Sequence, residues 1–146
     1  MNNLQCRGWI TSTKEFIYNP MVDFKNKRFD TGIREYKNNS NVTGLVYEDI
    51  KFIELDTGLK DKNLNEIYAG DIVLIEKHYY QIKYEIGSFM LVRCSDETDM
   101  YEQFENCWND DVYPLSQLYW ENNCEEDCIY ELEVVGNIHQ NSNLLE

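Results

Sequence analysis

Three features of the sequence predict an all-β fold. Eleven Tyr and six Phe stand against only two Pro in 146 residues, and aromatic side chains suit pleated, half-buried surfaces better than helices. In "HYYQIKYEI", Tyr80, Ile82, Tyr84 and Ile86 alternate with Gln81, Lys83 and Glu85, a period of two that places the apolar set on one face of a strand. Finally, "DIVLIEKHYYQIKYEIGSFMLVR" (71–93) divides into three apolar runs separated by short polar breaks, as in an antiparallel meander or small barrel. The length suits one domain with a proper core.

Taken in order, "CRGWI" (6–10) and "EFIYN" (15–19) read as short strands around the turn "TSTK". Residues 1–44 as a whole read as an irregular N-terminal part. Within it "FKNKRFDTGIREYKNNSN" (24–41) is polar and locally basic, which predicts a loop or excursion, not core. The barrel core is expected over 45–94 and 128–138. "EDIKFIELD" (48–56) supplies a strand and "TGLKDKNLN" (57–65) carries turn chemistry. "IGSF" turns the chain between the second and third apolar runs. In "PLSQLYW" (114–120) Pro114 suits a helix start, which predicts one short helix. "CIYELEVVGNI" (128–138) returns to period two, with Tyr130, Leu132 and Val134 on one face, and Gly136 marks a bulge or a close backbone approach. No internal repeat is evident.

The charge is uneven. Residues 1–93 hold 13 Lys and Arg against 13 Asp and Glu, whereas residues 94–146 hold 14 acids and no Lys or Arg. The whole net charge of −14 therefore belongs to the last third of the chain. Such a region repels nucleic acid and anionic membranes and attracts basic proteins. A purely solubilising acidic face accounts for the same numbers. The start "MNNLQCRGWI" is too short and polar for a signal peptide, and no run is long enough to cross a bilayer. A cytoplasmic location with reduced thiols is the expectation for the five cysteines, whose odd number disfavours a closed disulfide framework.

Few residues suggest chemistry. His78 and His139 read as solvated turn residues, and no Ser or Cys context resembles a nucleophile motif, so no catalytic residue is assigned. Cys124 and Cys128 form a lone C-x₃-C that Cys107 or His139 would have to complete; plain thiols are the simpler reading, and no metal or other cofactor is expected. Asp110–Asp111 and Glu125–Asp127 lack the spacing of a calcium loop. Phosphate binding lacks a Gly-rich loop opening a helix. Tyr79, Tyr80 and Tyr84 with Lys77 and Lys83 leave room for a small nucleic-acid site but not an extended one. The basic cluster Lys25, Lys27 and Arg28 reads as a solvated loop.

In three places the chain resembles the YopX family of phage and prophage proteins. "TGLKDKNLNEIYAGDIVLI" (57–75) is similar to that family's central signature, "YQIKYEIGSFML" (80–91) to its next hairpin, and "YELEVVGNIHQNSNLLE" (130–146) to its closing tail. "CRGW" fits the family's usual opening loosely. Leu64 stands where the family's turn usually has Gly, Ala69 where Glu is usual, and Ser142 where Pro is common. The resemblance implies an SH3-like barrel within an all-β fold, a phage-encoded chain and no catalytic residues. It implies turn roles for Gly58 and Gly70 and a turn hydrogen bond for Asp71.

The three segments leave residues 95–129 outside, so 95–127 reads as an acidic aromatic insertion into a single domain spanning 1–146. Its aromatics are interleaved with acids, and packing on the barrel competes with exposure. The favoured expectation is a non-enzymatic accessory protein that binds a basic host protein, a nucleic-acid-handling or defence protein, through Asp110, Asp111, Glu125, Glu126 and Asp127, with Trp108 and Trp120 as anchors. An anti-CRISPR protein that imitates nucleic acid is one example. The alternative is an assembly module that forms homo-oligomers through barrel edges.

Overall fold

The computed structural model describes residues 5–37, 41–85, 87–94, 112–121 and 127–145. Among the described residues strands dominate, with one short helix, consistent with an all-β fold. Contacts gather the chain into two compact units, Asn3–Leu55 and Asp56–Glu146.

The first unit is built from strands where an irregular region was expected. These are β1 (Cys6–Ile10), β2 (Glu15–Tyr18), β3 (Val22–Asp23), β4 (Arg28–Lys37), β5 (Asn41–Asp49) and the start of β6 (Ile53–Lys60). β1 lies between β2 and the start of β6, antiparallel to both. β4 lies between β3 and β5, again antiparallel. The expected boundary at residue 44 falls inside β5, and the polar stretch taken for an excursion is mostly β4. It forms because ladder hydrogen bonds do not need apolar side chains, and because one residue, Phe29, is fully buried. Gly8 makes room for that ring. A Cβ at Gly8 would lie 2.6 Å from the Phe29 ring, so glycine sets how closely β1 approaches β4. Arg7 and Glu54 face each other across the β1–β6 ladder and form a buried ion pair at 2.9 Å. The Arg7 guanidinium also lies 4.0 Å above the Phe16 ring. Between β5 and β6, Asp49 caps a 3₁₀ turn (Ile50–Phe52) by accepting from the Lys51 N–H, so "EDIKFIELD" is a strand end, a turn and a new strand.

The second unit contains a curled five-stranded antiparallel sheet. β8 (Asp71–Ile75), β9 (His78–Glu85), β10 (Ser88–Arg93) and β11 (Val112–Pro114) follow as a meander, and β12 (Leu132–Asn137) returns to pair with β8. β7 (Glu66–Tyr68) pairs with the end of β6. The meander matches the three apolar runs. One face carries the core, with Ile67, Val73, Tyr80, Ile82, Leu91 and Leu132 buried. Each such aliphatic side chain contributes about 1.5–3 kcal/mol by leaving water. Period two holds for Tyr80 and Ile82, but Tyr84 is exposed, with its ring against Phe89 across the strands. Helix α1 (Leu115–Glu121) forms where one short helix is expected, but Pro114 ends β11 opposite Met90 and the helix starts one residue later. Leu115 and Leu118, three apart, point into the core, which leaves Ser116, Gln117 and Trp120 outward. Tyr130, expected on the buried face, lies in a turn before β12 and is exposed.

Gly136 serves both expected purposes. The β8–β12 register shifts between Val134 and Gly136, and a Cβ at Gly136 would lie 2.6 Å from Asn141 Cγ. Asn141 thereby accepts from the Asn137 N–H, while Asn137 accepts from the N–H groups of His139 and Gln140. The tail is folded back by its own amides.

Candidate functional site

The polar residues of the signature segment are used by the fold. Asp61 is fully buried. Its Oδ1 accepts from the N–H groups of Asn63 and Asn65 at 2.9 and 2.8 Å, and its Oδ2 from the Val134 N–H at 2.8 Å. Its carbonyl accepts from the Cys128 thiol at 3.1 Å, which gives that buried cysteine a structural role. The Lys60 and Lys62 N–H groups donate to the carbonyls of Asp127 and Leu132, and the Ile129 N–H donates to the Lys60 carbonyl. One carboxylate thus ties the turn at 61–65 to the returning chain at 127–134. Leu64 sits in this turn at φ 66°, where the resemblance places glycine. Asp71 accepts from the Tyr68 N–H at 2.8 Å across a turn in which Gly70 has φ 95°, as the resemblance implies.

Gly58 belongs to a motif that occurs twice. In "DTGI" (30–33) and "DTGL" (56–59) the glycine has φ 81°, and its N–H donates to the preceding Asp at 2.8 Å in both. The threonine hydroxyl accepts from the residue after the glycine, at 3.2 and 3.1 Å. Each copy sits where a ladder shifts register, so each is a bulge that bends a long strand. Inspection for repeats by length alone misses it; the recurrent tetrapeptide was the available signal. Asp30 is held below the usual carboxylate range, first by hydrogen bonds from Arg34 and then by the Gly32 N–H. It accepts bonds and is not set up to exchange protons.

Of the expected partner-binding residues, Trp108, Asp110, Asp111, Glu125 and Glu126 lie outside the described residues. The other two, Trp120 and Asp127, are both exposed. Trp120 is 74% exposed at the end of α1, with its ring edge-on to Tyr119 at 5.2 Å. Asp127 has φ 60°, and its carbonyl joins the Asp61 network while its carboxylate faces solvent. Four acids of the last third are described: Glu121, Asp127, Glu131 and Glu133. Glu121 accepts from Gln117 at 3.1 Å, one turn away. Glu133 pairs with Lys62 at 3.3 Å and is the one among them bridged to a basic residue of the front portion.

The charge divides as the units do. Residues 3–55 carry eight Lys and Arg against seven Asp and Glu, and residues 56–146 carry five against 20. The second unit is therefore at −15 and the first at +1.

Other chemistry is sparse. Among the described residues, no three of His, Cys, Asp and Glu come together as a metal site. Burial pushes the Cys6 and Cys94 thiols up, away from thiolate character. His78 lies on the surface with its Nδ1 2.9 Å from an Arg93 nitrogen. A cavity of about 320 Å³ opens beside α1, lined by Leu59, Phe89, Leu115 and Tyr119 with the hydroxyls of Thr57, Ser88 and Ser116. Among the described residues its lining holds no acid, base or thiol side chain, and Tyr119 contributes a phenol.

The profile of the YopX protein family matches residues 5–146. The chain belongs to the YopX family. That span includes residues 95–129. The crystal structure of protein EF1440 from Enterococcus faecalis is similar over 100% of both chains, with 26% identity and a TM-score of 0.56. No curated protein matches. None of the described helices is long and apolar enough to cross a membrane.

Proposed function

We propose that this YopX-family chain is a non-enzymatic, phage-encoded accessory protein that binds a basic host protein through its acidic C-terminal third. The observation that carries the reading is the confinement of the net charge to residues 94–146. Acidity in the signature segment is consumed by folding, as Asp61 and Asp71 illustrate. Acidity past Arg93 is in surplus, with no Lys or Arg after that residue. An exposed Trp120 within this region supports an apolar anchor beside the charge. A dense run of carboxylates imitates a phosphate backbone, which makes a nucleic-acid-handling or defence protein, such as a CRISPR nuclease, the natural class of target.

The test is retention of host proteins on the immobilised chain at low and high salt. Attraction between ionised surfaces predicts retention that falls steeply as salt rises. A variant with Asp110, Asp111, Glu125, Glu126 and Asp127 changed to their amides should release the same partner. Retention that ignores both salt and substitution contradicts the reading.

A further inference from the structure

We infer that the hairpin tip at residues 21–27 is a docking surface for the acidic flank of a second copy of this chain. Met21 is 81% exposed and Phe24 77%, the two highest values among the described large hydrophobic residues. Exposed beside them are Lys25 and Lys27. The tip is held in shape from several sides. Asp23 accepts from the Asn26 N–H at 3.2 Å and from its side chain at 2.7 Å. Lys27 has φ 53°, and its carbonyl accepts from the Ile50 N–H at 3.0 Å. The Met21 carbonyl accepts from the Asp30 N–H at 2.9 Å, and the Arg28 guanidinium lies over the Tyr47 ring at 3.8 Å. The backbone is fixed while the two apolar side chains remain in water. The pair, held in place beside two lysines, offers apolar area that a partner could bury.

Charge complementarity selects the occupant. The tip is cationic and apolar, and the last third exposes an indole, Trp120, with the acids Glu121, Asp127 and Glu131. Nucleic acid offers phosphates to the lysines and base faces to Phe24 but nothing matched to a thioether. An anionic bilayer accepts both side chains but repels a chain of net charge −14. Two copies also repel as wholes, yet beyond about 8 Å that repulsion is screened at physiological salt, which leaves contact-range matching to decide. A tip-to-flank contact is heterologous, so copies can add in series. The inference shares the acidic flank with the proposed partner binding but does not depend on it, because the purified chain alone reports it.

The experiment is sedimentation velocity over a concentration series with two variants. The tip variant is Met21→Ser, Phe24→Ser, Lys25→Ser, Lys27→Ser; the flank variant is Trp120→Ser, Glu121→Gln, Asp127→Asn, Glu131→Gln. Wild type should associate with concentration, and each variant should weaken this by about tenfold or more. A mixture of the two should recover association but stop at one-to-one dimers, since each variant retains one intact surface. Unchanged melting shows that both remain folded, and Met21→Ser with Phe24→Ser alone serves if the larger tip variant does not. A wild type that is monomeric throughout overturns the inference, as does a tip variant that associates like wild type. Capture of a monomeric wild type on anionic vesicles, lost in the tip variant, overturns it in favour of a lipid role for the tip.

Discussion

The turn around Asp61 and the flank around Trp120 both carry acids and use them in opposite ways. Asp61 is buried and its two oxygens take three backbone N–H groups, so its charge is compensated by dipoles it helped to place. Asp127, Glu121 and Glu131 are exposed, and their charges act outward on whatever approaches. Proximity in sequence does not separate the two uses: Asp127 lends its backbone to the Asp61 network and its side chain to the surface. What separates them is whether an orphan N–H needs an acceptor.

The comparison breaks most readily at its buried end. Asp61→Ala strands three N–H donors inside the second unit and should cost about 3–5 kcal/mol in chemical denaturation. A loss under about 1 kcal/mol would mean that water or relaxation replaces the carboxylate. In the first unit, Glu54→Gln keeps a neutral acceptor for Arg7 and, because burial disfavours the Glu54 charge more than Arg7 favours it, should cost under about 1 kcal/mol near neutral pH. Its pH dependence sharpens the contrast. Burial raises the Glu54 carboxyl above its ordinary value of 4.5, and Arg7 only partly offsets this. The folded chain holds that proton more tightly than the unfolded chain, so this contribution is full below the unfolded value and is lost as pH rises through the folded one. The wild-type advantage over Glu54→Gln should therefore grow as pH falls through this range. Asp23 and Asp30, held low by hydrogen bonds from Asn26 and Arg34, run the other way and lose their contribution in acid.

Smaller effects test the details. Leu64 is 68% exposed at a φ of 66° that costs a side chain about 1–2 kcal/mol. Leu64→Gly relieves this and adds freedom to the unfolded chain, for a net gain of about 0.5–1 kcal/mol and a higher melting temperature. At the exposed end, Asp127→Asn with Glu131→Gln should leave the denaturation midpoint unchanged, because neither carboxylate completes a buried network and Asn tolerates the positive φ at 127.

Legibility followed the same division. The meander from Asp71 to Arg93, the helix after Pro114 and the bulge at Gly136 were readable because apolar spacing and two special residues specify them. β4 was not, because its ladder depends on backbone groups common to all residues and its buried Phe29 is flanked by the polar Arg28 and Asp30. The twin Asp-Thr-Gly bulges were present in the letters, but their meaning lies in a glycine φ that composition does not reveal. Of the candidate site, the charge imbalance was fully readable, whereas the exposure of Trp120 was not. The distinction between acids that fold and acids that face outward was not, since it depends on which N–H groups each carboxylate meets.

The most direct measurement titrates salt against retention of a host partner by wild type and by the chain with Asp110, Asp111, Glu125, Glu126 and Asp127 amidated, after their denaturation midpoints are shown to agree. The account predicts that wild-type retention declines steeply with salt and that the amidated chain retains little at any salt. Equal retention by both chains, with no response to salt, would contradict it.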